Sequence, residues 1–305
     1  MKRQRSNLFK WTIKAAVAVL LIFIIARLYY HLTDDFRLSN ITYSLPYEKS
    51  WEVAEATPEQ EKNLEQILDQ PFYYLGKGAQ SYAFRSEDNR YVLKFFKFKH
   101  LKPSFFLDAL PSIGYLKTYK QTQAARKEKK LLGVFKSYKL AYEVDKEESG
   151  LIFVQLNTQN NPTRYVTVVD KIGIKRRIEL HNYPFLVQEK GETLRTVIRN
   201  LLEKSDIETA QKRFGQILDL YAVEYEKGIY DHDHGIMQNT GFIDDRPFHL
   251  DVGKLMTEEK MRDKAFAKKD AELVIEKMSG WVKKYFPQHS SEIASYLNRK
   301  IDELF

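Results

Sequence analysis

The chain has 305 residues and no cysteine, which excludes disulfides, thiolate metal sites and cysteine nucleophiles. A hydrophobic fraction of 43% is enough for a substantial core, and the length suits one two-lobed unit rather than several independent domains. The net charge of +8 is local, because residues 94–140 alone carry twelve basic and two acidic side chains. No zinc-finger, helix-turn-helix or base-stacking pattern accompanies this basic segment, so nucleic-acid binding is not expected.

The N-terminus predicts a single-pass membrane anchor. A basic tail, residues 1–10, precedes an apolar segment, residues 11–32, whose charge-free run from Ala15 to Ala26 is flanked by Lys14 and Arg27. A bilayer needs about 20 mostly apolar residues, and the flanking cations can reach its surface. A cleaved signal peptide is the alternative, but it requires small residues before the cut, and we favour an uncleaved anchor. The basic tail predicts a cytoplasmic N-terminus, while the side that holds the folded domain stays open.

Residues 33–70 predict a juxtamembrane spacer and a lead-in helix. The segment is polar and acidic, and it contains a stretch with proline before an amphipathic pattern from Pro58 to Leu68. We expect this segment to connect the anchor with the first strand of the folded domain, near residue 71.

A glycine-rich turn and a strand lysine predict a phosphate site. Residues 74–84 read Tyr-Leu-Gly-Lys-Gly-Ala-Gln-Ser-Tyr-Ala-Phe, and residues 91–96 place Lys94 among apolar neighbours. Apolar runs on either side of a polar turn at residues 87–90 predict a β-hairpin. Glycine lets backbone N–H groups approach phosphate without a Cβ in the way. The residues expected to cover the phosphates are Gly76, Lys77, Gly78, Ala79, Gln80 and Ser81.

Residues 231–253 carry the carboxylate and amide oxygens expected of a magnesium site. They read Asp-His-Asp-His-Gly-Ile-Met-Gln-Asn-Thr-Gly-Phe-Ile-Asp-Asp-Arg-Pro-Phe-His-Leu-Asp-Val-Gly. Hard oxygen ligands of this kind suit Mg²⁺ together with phosphate oxygens. A transition-metal site at His232 and His234 is an alternative, but adjacent residues of a loop rarely all point at one ion.

These segments, in this order, resemble the protein-kinase-like superfamily, whose two loops end in Asn and in Asp-Phe-Gly. The resemblance implies a two-lobed α+β fold, with an antiparallel sheet and one long helix in the small lobe and a mainly helical large lobe. It also implies that ATP and Mg²⁺ are bound, with Asn239 and Asp251 as metal ligands and Lys94 on the α- and β-phosphates. The small lobe would span residues 71–189 and the large lobe residues 190–305.

In this family the lysine pairs with a glutamate on the following helix, and Glu128 is the expected partner. Glu128 is the only acidic residue between Asp108 and Glu143. The alternative is that it relieves repulsion among the lysines around it. The strand from Tyr183 to Glu189 resembles the hinge between the lobes, which would place Gln188 and Glu189 beside the adenine.

The chain departs from the family at the expected base. The asparagine normally comes five residues after the catalytic aspartate, but the residue five before Asn239 is His234, and Asp233 lies six before it. Either the loop has one extra residue and Asp233 is the base, with Asp231 as second choice, or the base has been lost. In addition, Val252 replaces the phenylalanine of Asp-Phe-Gly.

The resemblance therefore predicts transfer of the γ-phosphoryl group of ATP to a hydroxyl of an unknown acceptor. The alternative is a pseudokinase, a nucleotide-binding or scaffold domain without transfer activity. A membrane-bound adaptor without a nucleotide site is a third possibility. The basic segment 94–140 is expected to bind anionic lipid or a protein partner, or to form a solvated face beside the phosphate site.

Overall fold

The computed structural model describes residues 2–43, 45–99, 114–158 and 161–305. The helices are α1 (Lys2–Leu32), α2 (Leu38–Ile41), α3 (Pro58–Leu68), α4 (Gly114–Val144), α5 (Lys146–Ser149), α6 (Leu194–Glu203), α7 (Ile207–Glu226), α8 (Ile236–Asn239), α9 (Lys264–Tyr285) and α10 (Ser290–Leu304). The strands are β1 (Pro71–Lys77), β2 (Ser81–Ser86), β3 (Tyr91–Phe96), β4 (Leu151–Gln155), β5 (Tyr165–Val169), β6 (Lys175–Glu179), β7 (Phe185–Glu189), β8 (Glu192–Thr193), β9 (Ile229–Asp231), β10 (Thr240–Ile243), β11 (Arg246–His249) and β12 (Leu255–Thr257). The fold is thus α+β, as predicted.

The largest sheet has seven strands in the order β4-β7-β3-β2-β1-β5-β6. Its pairs are antiparallel except β1 with β5, which run parallel, with Phe72 opposite Val168. The expected antiparallel sheet is therefore found except in this pairing. The β5–β6 hairpin adds to the outer edge of β1, which would otherwise expose unpaired backbone groups.

One face of the sheet is covered by the predicted spacer, so this segment is part of the fold rather than a free connection. Phe36 and Ile41 are fully buried in a cluster with Phe84 of β2 and Phe95 of β3. Helix α3 adds its apolar face to the same cluster. It starts at a capping box in which Thr57 and Gln60 bind each other's backbone N–H groups.

Helix α4 packs on the other face of the sheet. Its buried side chains recur at helical spacing and include Leu131, Phe135 and Tyr138. They pack with Phe96 of β3 in the same cluster as Val252, from the loop after β11. The helix thus connects the sheet with the loop that carries the predicted metal ligand.

A third cluster holds the helices of the C-terminal half together. It is built on the buried faces of α6, α7, α9 and α10, around residues such as Phe214, Met278 and Leu297. Asp206 and Asp263 accept hydrogen bonds from the first turns of α7 and α9, which fixes where these helices begin. The segment between β9 and β10 contributes Ile236 and Met237 to this cluster.

Helix α1 carries the segment Trp11–Leu32, which is long and apolar enough to cross a membrane, with a mean hydropathy of 2.1. Most of its large apolar side chains are exposed; Ile22, for example, has 67% of its surface accessible. The predicted anchor and a signal sequence share this length and composition.

Candidate functional site

Lys94 of β3 lies at the centre of the candidate site. Its side chain is buried, and Nζ donates a hydrogen bond of 2.7 Å to the backbone oxygen of Leu250. Burial lowers the pKa of Lys94, and the carboxylate of the neighbouring Asp251 opposes that shift. An ammonium has three donors, and one of them holds β3 against the end of β11.

Asp251 follows β11 and is exposed, in contrast to Lys94. Its Oδ1 accepts hydrogen bonds from the backbone N–H of Gly253, at 3.1 Å, and from the Tyr138 hydroxyl, at 3.3 Å. The backbone N–H of Asp251 donates to the backbone oxygen of Asn239 at 3.1 Å. The structure thus brings Lys94, Asn239 and Asp251 together from three separate segments.

The predicted pair between Lys94 and Glu128 is wrong. Glu128 is exposed on the lysine-rich part of α4, whereas Lys94 is buried. The helix reaches the site ten residues later, through Tyr138, because the face of α4 that packs on the sheet begins only at Leu131. Glu128 therefore fits the alternative, a single acidic residue among lysines on a solvated face.

Sequence reasoning missed Tyr138. Burial and the Asp251 carboxylate raise the pKa of its phenol well above the usual value, so the hydroxyl stays protonated and donates. The available signal was the apolar spacing of Leu131, Val134 and Phe135, which identifies the buried face of α4 and puts Tyr138 on it.

The glycine-rich turn lies above Asp251. The backbone N–H of Gly78 donates to the oxygen of Ser81 at 2.9 Å, and Lys97 Nζ donates to the oxygen of Gly78 at 2.9 Å. At the tip, Gln80 approaches Gly253 so closely that a Cβ on this glycine would lie 2.6 Å from Gln80 Oε1. That oxygen is buried and, among the described residues, has no hydrogen-bond partner. It is a free acceptor next to the candidate metal ligand.

Two residues of this turn differ in their surroundings. A Cβ added at Gly76 would meet no atom within 4 Å, so the backbone there borders open space. Lys77 is directed to the start of the folded domain, where its Nζ lies 3.6 Å from Asp34 Oδ1. Contact between Lys77 and a nucleotide would therefore come through its backbone.

The two candidate bases, Asp231 and Asp233, lie in the loop from Asp231 to Asn239 and differ in their exposure. Asp233 is exposed, and its Oδ1 lies 3.0 Å from Lys254 Nζ. Asp231 has 1% of its surface accessible, and its Oδ1 accepts the backbone N–H of Asp233 at 2.9 Å. Asp231 is thus much the more buried of the two candidates, and its role as the alternative base stays a prediction.

His234 occupies the position five residues before Asn239. Its Nε2 lies 2.9 Å from Asp270 Oδ1, and this hydrogen bond raises the pKa of His234. The imidazole is therefore tied to α9. Asn239 is half-buried, and a Cβ added at Gly235 would lie 2.5 Å from its Nδ2. Because residue 235 is glycine and has no Cβ, the side-chain amide of Asn239 can occupy this space.

A buried ionic network, also missed by sequence reasoning, lies under the loop. Nδ1 of His249 is 2.5 Å from Glu224 Oε1, and its Nε2 is 3.8 Å from Asp231 Oδ2. Burial alone would lower the pKa of His249, but the two carboxylates raise it well above its ordinary value. For the carboxyl group of Asp231 the effect of burial is the opposite, because burial raises its pKa. The contact with His249 outweighs burial, so the pKa of Asp231 is lowered. The imidazolium of His249 thus joins Asp231, at the start of the loop, to Glu224 of α7.

The predicted hinge residues are engaged with the protein. Gln188 Nε2 donates to the oxygens of Ser149, at 2.6 Å, and His249, at 3.1 Å, and the Glu189 carboxylate pairs with Arg246. The side chain of Gln188 is buried in this contact, so contact of this residue with an adenine would come through its backbone. The side chain of Glu189 is held in its ion pair, so recognition of a base would involve the backbone.

The metal chemistry of the site follows from its donors. Among the described residues there is no group of three or more His, Asp or Glu side chains that could hold a metal ion by themselves. Asp251 and Asn239 provide one carboxylate and one amide oxygen. This set suits Mg²⁺, which is usually bound by one or two protein ligands and completes its octahedron with phosphate oxygens and water.

No protein-family model matches the sequence, and comparison with curated proteins gave no match. Among solved structures, the chain is similar to WbdD in a co-crystal structure with the kinase inhibitor LY294002, at 15% identity and a TM-score of 0.36 over 74% of this chain and 44% of that chain. It is also similar to a structure of the bifunctional kinase-methyltransferase WbdD, at 15% identity and a TM-score of 0.34 over 75% of this chain and 46% of that chain. The chain spans less than half the length of these proteins.

Proposed function

We propose that this protein is a membrane-anchored phosphotransferase with a two-lobed kinase-like fold, which transfers the γ-phosphoryl group of ATP to a hydroxyl group. The observation that carries the proposal is the contact of Lys94 with the segment that bears Asp251. A buried ammonium, an exposed carboxylate and a glycine-rich turn above them meet at one point. These are the groups that a bound triphosphate requires.

Each residue of the proposed site has a separate role in binding the nucleotide and the metal. The backbone from Gly76 to Ser81 covers the phosphates, and the free donors of Lys94 bind their oxygens. Asp251 and Asn239 hold Mg²⁺, which supplies charge neutralisation between the phosphates. Tyr138 fixes the Asp251 carboxylate through the bond to Oδ1. Such a site acts by positioning and by electrostatic stabilisation rather than by covalent catalysis.

Asp233 is the proposed base. The acceptor oxygen forms a bond to the γ-phosphorus while the bond to the β–γ bridging oxygen breaks, and ADP leaves with that oxygen. The proton of the acceptor hydroxyl passes to the Asp233 carboxylate. Asp233 is accessible for this role, whereas Asp231 is buried and His234 is bound to Asp270.

A pseudokinase is the second candidate, and two observations favour it. Asp233 forms an ion pair with Lys254, and the usual position of the base is occupied by His234. In this pair the Lys254 ammonium occupies a carboxylate oxygen that an acceptor hydroxyl would otherwise contact.

Single-turnover transfer from γ-labelled ATP separates the candidates. The full chain in detergent would be assayed with Mg²⁺, beside Asp251→Ala and Lys94→Met, and nucleotide binding would be followed by thermal shift. We expect wild-type transfer to any acceptor present, water included, and its loss in both variants. A thermal shift without transfer would identify a pseudokinase, and no shift with MgATP would identify an adaptor.

A further inference from the structure

A cavity of about 320 Å³ lies beside the candidate transfer site. One wall is a face of α4, and the opposite wall is the segment from Gly253 to Thr257. His232, the residue before Asp233, also lines it, and Nζ of Lys254, in the second wall, lies 3.0 Å from Asp233 Oδ1. The cavity therefore opens next to the proposed base, and its volume lies at the lower end of the range of small-molecule sites, about 300–1,000 Å³.

The rim of the cavity is basic. Lys129, Lys130 and Lys136 of α4 line it and are exposed. None of the three forms an ion pair with the described part of the chain. Lys254, on the opposite wall, is bound to Asp233. Three uncompensated ammonium groups at one opening favour an anionic ligand.

The walls below this rim are apolar. They are formed by Val134 and Leu140 from α4 and by Leu255 and Met256 from β12. Met256 has 48% of its surface accessible, although it is a large apolar residue. A ligand that suits both parts carries a negative charge next to an apolar portion, as an amphiphile does.

The cavity is connected to the end of the apolar helix by a short series of contacts. Near the end of α1, the hydroxyl of Tyr29 lies 2.9 Å from Arg176 Nη2. The ammonium of Lys99 lies over the ring of the next residue, Tyr30. Asp35 Oδ1 then accepts the Tyr82 hydroxyl at 2.7 Å.

Lys97 continues this series. Its Nζ lies 4.6 Å from the centre of the Tyr82 ring. Lys97 and Lys130 line a smaller cavity next to the large one, and Gln80 borders both cavities. The glycine-rich turn, the end of α1 and the basic rim thus lie in one region of the molecule.

We propose that this cavity binds the headgroup of an anionic glycerophospholipid and that a free headgroup hydroxyl of this lipid is the phosphoryl acceptor. The proposal depends on the proposed function and names its substrate class. The lysines on α4 bind the lipid phosphate, and the apolar wall contacts the glycerol and the first acyl carbons. The hydroxyl oxygen attacks the γ-phosphorus, ADP leaves with the bridging oxygen, and the proton passes to Asp233.

The test uses the full chain in nanodiscs of phosphatidylcholine alone, or with phosphatidylserine, phosphatidylglycerol or phosphatidylinositol. Phosphatidylserine provides a negative charge without a headgroup hydroxyl. With γ-labelled ATP and Mg²⁺, we expect label in the organic-extractable lipid only for phosphatidylglycerol or phosphatidylinositol. Label in protein or in an added acidic peptide, but not in lipid, would overturn the proposal.

A matched pair of variants tests the cavity itself. Lys130→Glu with Lys136→Glu changes the charge of the rim by four units, and Lys264→Glu with Lys283→Glu makes the same change on α9. We expect the rim variant to lose at least tenfold in lipid labelling and the α9 variant to keep it, while both retain the thermal shift with MgATP. Equal labelling by the two variants would show that the cavity is not the acceptor site. Wild type without a shift, or with a shift but no transfer of label to any acceptor, would overturn the proposed function as well. A shift with transfer to water or protein, but not to lipid, would overturn only the lipid acceptor.

Discussion

The hydroxyl of Tyr138, in the C-terminal part of α4, donates a hydrogen bond of 3.3 Å to Asp251 Oδ1 across 113 positions of sequence. Tyr138 is buried and Asp251 is exposed, so the bond comes from the core and engages one of the two carboxylate oxygens. Tyr138 is therefore a positioning residue. It orients the candidate metal ligand and touches neither nucleotide nor acceptor.

Tyr138→Phe removes this bond and keeps the ring. A hydrogen bond to a charged group contributes about 1.5–3 kcal/mol, so we expect nucleotide affinity in the presence of Mg²⁺ to fall by roughly tenfold or more. Raising the Mg²⁺ concentration should restore part of the binding, which loss of packing alone would not produce. Tyr142→Phe, one turn further on α4, is the control and should bind like wild type. Equal binding by Tyr138→Phe and wild type would exclude the positioning role.

Gly235→Ala tests the other candidate metal ligand. Gly235 has an ordinary φ of −77°, so alanine is conformationally allowed, but its Cβ would lie 2.5 Å from Asn239 Nδ2. We expect Asn239 to be displaced and the apparent Mg²⁺ affinity, measured by the thermal shift at fixed ATP, to fall several-fold. Gly280→Ala in α9 meets no atom and should stabilise the fold by about 0.5–1 kcal/mol. If Mg²⁺ titrations of Gly235→Ala and wild type coincide, Asn239 does not bind the metal.

The features that could be predicted from the sequence are those whose residue types carry the chemistry. Lys94 is the one charged residue of strand β3, and Asp251 belongs to an Asp-Val-Gly sequence that resembles the metal-binding motif of the family, so both were predicted, and the structure brings them close together. Glu128 was chosen by elimination among acidic residues, and this criterion could not identify the hydroxyl of Tyr138, which binds Asp251 rather than Lys94. The apolar periodicity of α4 predicts that Tyr138 is buried, because it separates the buried face of the helix from the exposed lysines.

Long-range pairings account for the other errors. The parallel pairing of β1 with β5 joins strands about a hundred residues apart, and nothing in either strand specifies its direction. Phe36 and Ile41 are isolated apolar residues in a polar segment, so their burial on the sheet was not visible as a pattern. The pair of Glu224 with His249 was missed because it joins a helix to a strand.

The bond between His234 and Asp270 predicts a pH-dependent contribution to stability. The pKa of His234 is raised above its ordinary value of 6.5, chiefly by this bond. Asp231 acts in the same direction, whereas burial and Lys277 oppose it. The contribution is fully present below about pH 6.5 and is lost as the pH rises through the folded-state pKa. We expect His234→Gln to lower the free energy of unfolding more at about pH 6 than at about pH 9, as measured by urea denaturation.

Tyr225→Phe is the control for this measurement. It removes a second hydrogen bond to Asp270, of 2.6 Å, without removing a group that titrates near neutrality. Its destabilisation should change little between the two pH values. A constant difference for His234→Gln across the same range would show that the imidazole is not charged in this contact.

Asp231 and Asp233 are two positions apart, and we expect their substitution by asparagine to change different properties, stability for Asp231 and the transfer rate for Asp233. Asp233 is exposed, so Asp233→Asn should keep the unfolding temperature and the MgATP shift while lowering the transfer rate by about 10²–10⁴-fold, the usual contribution of a general base. Asp231 is buried beside the charged His249, so Asp231→Asn should destabilise the protein by about 3–5 kcal/mol, the cost of breaking a buried ion pair. Paired measurements of thermal unfolding and single-turnover transfer distinguish the two. An Asp233→Asn variant with wild-type transfer, beside a stable but inactive Asp231→Asn variant, would reverse the assignment.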